Sequence, residues 1–238
     1  MDYSGGVGVN NCTLRHSAGY GFSFSGARAV VSAFANNTVT SNASGAGYLN
    51  ATHIQYLEDS STYTGNDNDV VVVGGGGVVE DQTWPAIDVA YYVDTSVGLN
   101  ISANLIISPG ATLVFADENE RMEVTGSLYA VGTADQPITL TAASATPGGW
   151  GGLRIYNTAS ENNQLEFVAI SYGGGYHNAN LYLNGSSTNP TQISVRNCTF
   201  SSSAGWGVYW VPEYVTVADD LESDNSYSSN ALGTVGTR

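Results

Sequence analysis

The chain has 238 residues, a formal net charge of −15 and only 11% charged side chains. Its six cations are all arginines and face 21 acids, so nucleic acid, anionic membranes and polyanionic substrates are disfavoured as partners. A 42% hydrophobic content with 15 tyrosines excludes a disordered chain, two cysteines exclude a disulfide framework, and no apolar run reaches the roughly 18 residues of a membrane-spanning helix.

In chain order, Met1-Asp2-Tyr3-Ser4-Gly5 has neither the basic nor the apolar part of a signal peptide, and reads as a processed terminus or a boundary within a longer protein. Asn11-Cys12-Thr13 opens a segment that returns as Asn197-Cys198-Thr199, 186 residues later. The match runs on through Ser17-Ala18-Gly19 against Ser203-Ala204-Gly205, with Tyr20 replaced by Trp206. Asn37 to Gly45 likewise resembles Asn225 to Gly233 at an offset of 188. Such a period is too long for one solenoid repeat and must hold several coils. Shorter echoes agree: Asn36-Asn37-Thr38-Val39 resembles Asn10-Asn11-Cys12-Thr13, and Ile54-Gln55-Tyr56 resembles Ile170-Ser171-Tyr172.

Gly65-Asn66-Asp67-Asn68-Asp69, then Val70 to Val73 and the glycines Gly74 to Gly77, read as a boundary. Residues 1–75 are expected to finish one helical unit and residues 76–238 to begin the next, with 197–238 repeating the pattern of 11–45. Short alternating segments follow at Leu105-Ile106-Ile107, Thr112 to Phe115, Ser127 to Ala130, Ile138 to Thr141 and Leu153 to Tyr156. Each is bounded by Gly, Pro, Asn or Asp, which marks strands. Almost no helix is expected, because no stretch sustains a 3.6-residue apolar period.

Strands of this kind also suit a sandwich or a barrel. Three runs separate the options: Ile107-Ser108-Pro109-Gly110-Ala111-Thr112-Leu113, Gly126 through Ile138, and above all Gly148-Gly149-Trp150-Gly151-Gly152-Leu153. These, with Leu165 to Gly174 and the two Asn-Cys-Thr coils, resemble bacterial secreted right-handed parallel β-helix repeat proteins of the adhesin and surface-repeat type. The resemblance covers Val78 to Val211 best. It implies an all-β solenoid with little or no helix, on which Cys12 and Cys198 are small members of inward ladders.

Chemistry-bearing residues are sparse. There is no lysine to serve as a tuned base, and alternation on its strand places Arg154 opposite Leu153 and Ile155, as a surface charge. Acidic groups fall at Asp67 with Asp69, at Asp117-Glu118 with Glu120 and Glu123, and at Asp219-Asp220. Asp67 and Asp69 share a face if extended and are the calcium candidates, although neither the helix-loop-helix calcium pattern nor the nonapeptide repeat is present. His16, His53 and His177 lack zinc spacing. Trp206, Tyr209 and Trp210, with Tyr172, Tyr176 and Tyr182 a coil or two earlier, are candidates for stacking on sugar rings. Asn-x-Ser/Thr triplets are numerous, as an Asn- and Thr-rich composition produces without any modification.

The function expected from these features is a non-catalytic extracellular or cell-surface repeat that self-associates through its β-helix ends into a stalk or filament, without cofactor. The alternative is a module that binds or degrades carbohydrate.

Overall fold

A computed structural model describes residues 6–25, 31–96 and 98–238. The architecture is a parallel β-solenoid of about nine turns. Every strand pairing between neighbouring coils is parallel, as the resemblance implies. Among the described residues helix is confined to one 3₁₀ segment, Ala51–Tyr56. Ile54-Gln55-Tyr56 is therefore helical, whereas its sequence echo at Ile170-Ser171 is strand; the shared Ile and Tyr did not carry the backbone with them.

Three long sheets form the walls. Sheet I has nine strands: Tyr20–Phe24, Gly45–Leu49, Val70–Val73, Ala90–Val93, Thr112–Phe115, Ile138–Ala142, Val168–Ser171, Thr199–Ser201 and Ser226–Ser228. Sheet II stacks Leu99–Ile101, Met122–Val124, Leu153–Tyr156, Ala179–Asn184, Trp206–Trp210 and Gly233–Thr237. Sheet III stacks Gln82–Trp84, Asn104–Ile107, Ser127–Val131, Gln164–Glu166, Thr191–Arg196 and Val215–Val217. Two short pairs, Val7–Asn10 with Val31–Ala35 and Thr13–Arg15 with Thr38–Thr40, wall the first coils. Sheet I runs unbroken across residue 75, since Val70–Val73 pairs with both Gly45–Leu49 and Ala90–Val93.

Alternation decides what is inside. On sheet II, Leu99, Met122, Leu153, Leu181 and Val208 share one inward rung position and are buried. On sheet I, Tyr91, Leu113, Leu140, Ile170 and Phe200 do the same. A single coil has no second layer to cover its inward face, so each rung is buried by the rungs above and below it, about 4.8 Å away.

The long-range repeat has a physical basis at the corners. Asn37 Oδ1 accepts from Cys12 N–H at 2.9 Å, and Asn37 Nδ2 donates to the Val9 carbonyl at 2.8 Å. Asn225 does the same to Cys198 N–H and the Val195 carbonyl, both at 3.0 Å. Asn42 and Asn230 repeat the device on Ser17 and Ser203. Asn11, Asn36 and Asn197 turn these corners at φ near 55°, a left-handed conformation that asparagine tolerates best among side-chain-bearing residues. The match in sequence is not a match in wall, however. Tyr20–Phe24 belongs to sheet I, while its counterpart Trp206–Trp210 belongs to sheet II. The chain between them shifts the corner devices by one face.

The two cysteines differ in setting. Cys198 is buried between coils, and burial pushes its thiol up to about 12. Cys12 is exposed, in a coil whose strand has a neighbour on one side only among the described residues.

Candidate functional site

The densest cluster of charged and aromatic side chains lies on the outer face of sheet II. One outward rung position reads Asn100, Glu123, Arg154, Tyr182, Tyr209 and Gly236 on successive coils. Tyr182 and Tyr209 stack with ring centroids 5.7 Å apart. Gly236 leaves room for the Trp206 indole, into which a Cβ at that position would run at 2.5 Å. Trp206 thus joins Tyr209 at the outer face. Trp210 aligns with buried Leu183 and packs against the core instead.

Flanking segments complete the cluster. Arg121 precedes Met122–Val124, and Tyr176 and His177 come from the turn before Ala179–Asn184. Glu123 gathers three nitrogens: Arg154 Nη1 at 3.4 Å, Arg121 Nε at 3.5 Å and His177 Nε2 at 3.5 Å. The Arg121 guanidinium lies 4.4 Å from the Tyr176 ring centre, and that of Arg154 lies 3.8 Å from Tyr156 and 5.6 Å from Tyr182. Stacking occupies the faces of these cations, a cation–π arrangement that leaves planar N–H edges for oxygen acceptors.

The glycine-rich run flagged in the sequence builds this geometry. Trp150 is fully buried, stacks on Phe115 at 4.1 Å and 10°, and donates from Nε1 to the Ser171 carbonyl at 2.8 Å. Gly151 follows, and a Cβ there would meet the Cβ atoms of Arg121 and Tyr176 at 2.8 and 3.0 Å. The carbonyl of Gly151 also accepts the Tyr176 and His177 N–H groups. Gly152 at φ +99° turns the chain into the strand bearing Arg154. A glycine at 151 is what lets the arginine, tyrosine and histidine meet.

His177 is the group whose titration is most altered. Its side chain is only 6% exposed, and its pKa falls to about 4. Burial is the main cause, followed by the charge of Arg154; Glu123 opposes and Arg121 adds to the depression. The imidazole is therefore neutral at neutral pH, and its Nε2 has no hydrogen-bond partner among the described residues. Two arginines against one glutamate then leave the cluster at +1, inside a chain of −15.

Other candidates are dispersed. Asp67 and Asp69 lie exposed in a bend rather than along a strand, and Asp69 accepts the Asn66 N–H. Among the described residues no three His, Cys, Asp or Glu side chains are grouped to hold a metal ion. Glu120 is buried and caps Thr95 and Ser96, so it does not share a face with Glu123. Asp219 accepts from Ser194 and Val195, and Asp220 caps the turn at Glu222 and Ser223. His16 is an exposed corner residue and His53 is buried in the 3₁₀ segment. A groove of about 490 Å³ on sheet III is lined by Asp81, Thr83, Asn104, Ile106, Ser127 and Tyr129.

A family model described as a pectate-lyase-like β-helix domain matches residues 76–184. The chain is a β-helix repeat protein. Arg121, Glu123, Arg154, Tyr156, Tyr176, His177 and Tyr182 all lie within the matched span, and Tyr209 lies beyond it. No curated protein and no solved structure matches the chain significantly.

Reading Arg154 as a surface charge missed this cluster. At 24% side-chain exposure it is largely enclosed by Tyr156, Tyr182 and Glu123. Alternation gave its face correctly, but not that the same rung of neighbouring coils carries its carboxylate and its tyrosine, 31 residues before and 28 residues after it.

Proposed function

We propose that this β-helix is a non-catalytic extracellular module that binds glycan along the outer face of sheet II. The observation that carries the reading is the row Glu123–Arg154–Tyr182–Tyr209, extended by Trp206 and flanked by Tyr156 and Tyr176. Tyrosine faces suit the apolar faces of sugar rings, and guanidinium edges suit hydroxyl or carboxylate oxygens. The overall charge of −15 opposes a dense polyanion, while the local +1 admits isolated carboxylates. Binding is favoured over acid–base chemistry because a general base working near neutrality needs a pKa near 7, and His177 lies at about 4. Isothermal titration against a panel of neutral and uronate-bearing oligosaccharides tests the reading. Tyr209→Ala and Tyr182→Ala should each weaken the best ligand by about 3- to 10-fold. Wild-type protein that binds nothing on the panel, or variants that bind as well as it does, would remove the assignment.

Degradation of polysaccharide is the second reading, and the family match fits it as well as it fits the first. Its test is depolymerisation of uronate polymers followed by new reducing ends and unsaturated products, with and without chelator. Self-association through the β-helix ends is the third reading, for which a further copy would add parallel strands in the way successive coils do here. A monomer at high concentration in sedimentation equilibrium would rule stacking out.

A further inference from the structure

The sequence contains seven Asn-x-Ser/Thr triplets in which x is not proline, at Asn11, Asn36, Asn42, Asn50, Asn100, Asn184 and Asn197. The fold sorts them. Asn42 is fully buried, and its amide clips Ser17 N–H and the Leu14 carbonyl. Asn50 is half-buried and donates to Ser25. Asn100 donates to the Gly98 carbonyl, and the hydroxyl of its triplet, on Ser102, is spent on the Val78 carbonyl. Asn184 is half-buried, with Oδ1 accepting from Gly185 N–H.

The other three share one local geometry. Asn11, Asn36 and Asn197 stand exposed at corners with φ of 57°, 54° and 55°. The middle residue of each triplet is fixed by a side chain of the next coil: Asn37 holds Cys12 N–H, Ser61 holds Asn37 N–H and Asn225 holds Cys198 N–H. Thr13, Thr38 and Thr199 begin the next strand and are exposed. Asn197 is additionally tied to Glu166 at 3.3 Å, whereas the side-chain amides of Asn11 and Asn36 make no hydrogen bond among the described residues. Asn11 and Asn36 turn the same corner on adjacent coils, joined by the Asn11 N–H to the Ala35 carbonyl at 3.1 Å.

We propose that the Asn11/Asn36 corner is an N-glycan acceptor, and that the chain carries its own sugar as well as binding sugar. The proposal rests on the export reading above. The amide Nδ2 forms a C–N bond to the anomeric carbon of a lipid-pyrophosphate-linked oligosaccharide. The anomeric C–O bond to pyrophosphate breaks, the lipid pyrophosphate leaves, and one amide proton goes to the transferase. Transfer takes place on the chain during export, and the fold then decides which positions tolerate a glycan. A glycan on Asn42 is incompatible with this fold. On Asn11 or Asn36 it projects into solvent, and because the two corners are about one coil spacing of 4.8 Å apart, a bulky glycan on one obstructs the other.

The test is secretion of the full chain behind a cleavable leader from a host with N-glycosylation, followed by intact mass and glycopeptide mapping. The expected result is a single glycan shared between Asn11 and Asn36, partial occupancy at Asn197 and none at Asn42. Thr38→Ala should move the shared glycan to Asn11, and Thr13→Ala with Thr38→Ala should remove it while circular dichroism stays unchanged. Secreted, β-folded protein with bare Asn11 and Asn36 overturns the acceptor assignment and leaves export standing. Native protein found solely in the cytosolic fraction overturns export, and the acceptor assignment with it.

Discussion

Replacing Trp150 gives the sharpest test of how the sheet II face is built. The indole is fully buried, lies flat on Phe115 at 4.1 Å and holds the Ser171 carbonyl at 2.8 Å. Truncating a buried tryptophan to alanine costs about 3–5 kcal/mol. Loss of the ring pair adds about 0.5–1.5 kcal/mol, and the stranded carbonyl about 1–3 kcal/mol. These contributions overlap because one cavity underlies them, so Trp150→Ala should cost about 5 kcal/mol in all. For a chain of this length, that lowers Tm by roughly 10–20 °C. Trp150→Phe keeps the stack and loses the N–H, so it should cost about 1–3 kcal/mol. Urea titrations followed by far-ultraviolet circular dichroism read both values. Trp150→Ala should also abolish oligosaccharide binding, because Gly151 and the Arg121–Tyr176–His177 contacts hang from the same turn. A loss below about 1.5 kcal/mol for Trp150→Ala, or equal losses for the two variants, would refute the account of the turn.

Three further outcomes follow from the electrostatics. In an NMR titration the His177 ring protons should shift with a midpoint near pH 4; Arg154→Met should raise that midpoint and Glu123→Gln lower it, and a wild-type midpoint near 6.5 would contradict the burial described. Because the folded pKa lies below the unfolded value of about 6.5, the unfolded chain binds the extra proton first. The His177 contribution should therefore be intact above about pH 6.5 and fall as pH drops toward 4, as chemical denaturation across that range would show. Alkylation of native protein should label exposed Cys12 alone, with Cys198 reacting only in denaturant; double labelling of the native state would show that the Cys198 ladder opens.

Several features were legible in the sequence alone. Period-2 patterning at Leu105, Thr112, Ser127, Ile138 and Leu153 falls on strands, and the glycine-rich run around Trp150 marks the turn that shapes the cluster. The spaced asparagines at 37, 42, 225 and 230 carried the 188-residue repeat because each performs the same two hydrogen bonds. The Glu123–Arg154–Tyr182 row was invisible for a definite reason. Coil lengths vary, so residues on one rung stand 31, 28 and 27 apart from Glu123 to Tyr209, and no fixed spacing announces them.

The sequence by itself determined the class of object: short strands, tight corners, too few cations for nucleic acid, and apolar positions alternating with outward ones along each strand. Local alternation and turn chemistry act within a few residues, so the chain alone suffices for them. Only the stacking decided which outward residues meet, which of Trp206, Tyr209 and Trp210 turns inward, that Cys198 is sealed while Cys12 is open, and which Asn-x-Thr triplets stand free. Each of those outcomes depends on the coil above or below, whose register is set by burial of the common core rather than by neighbours in sequence.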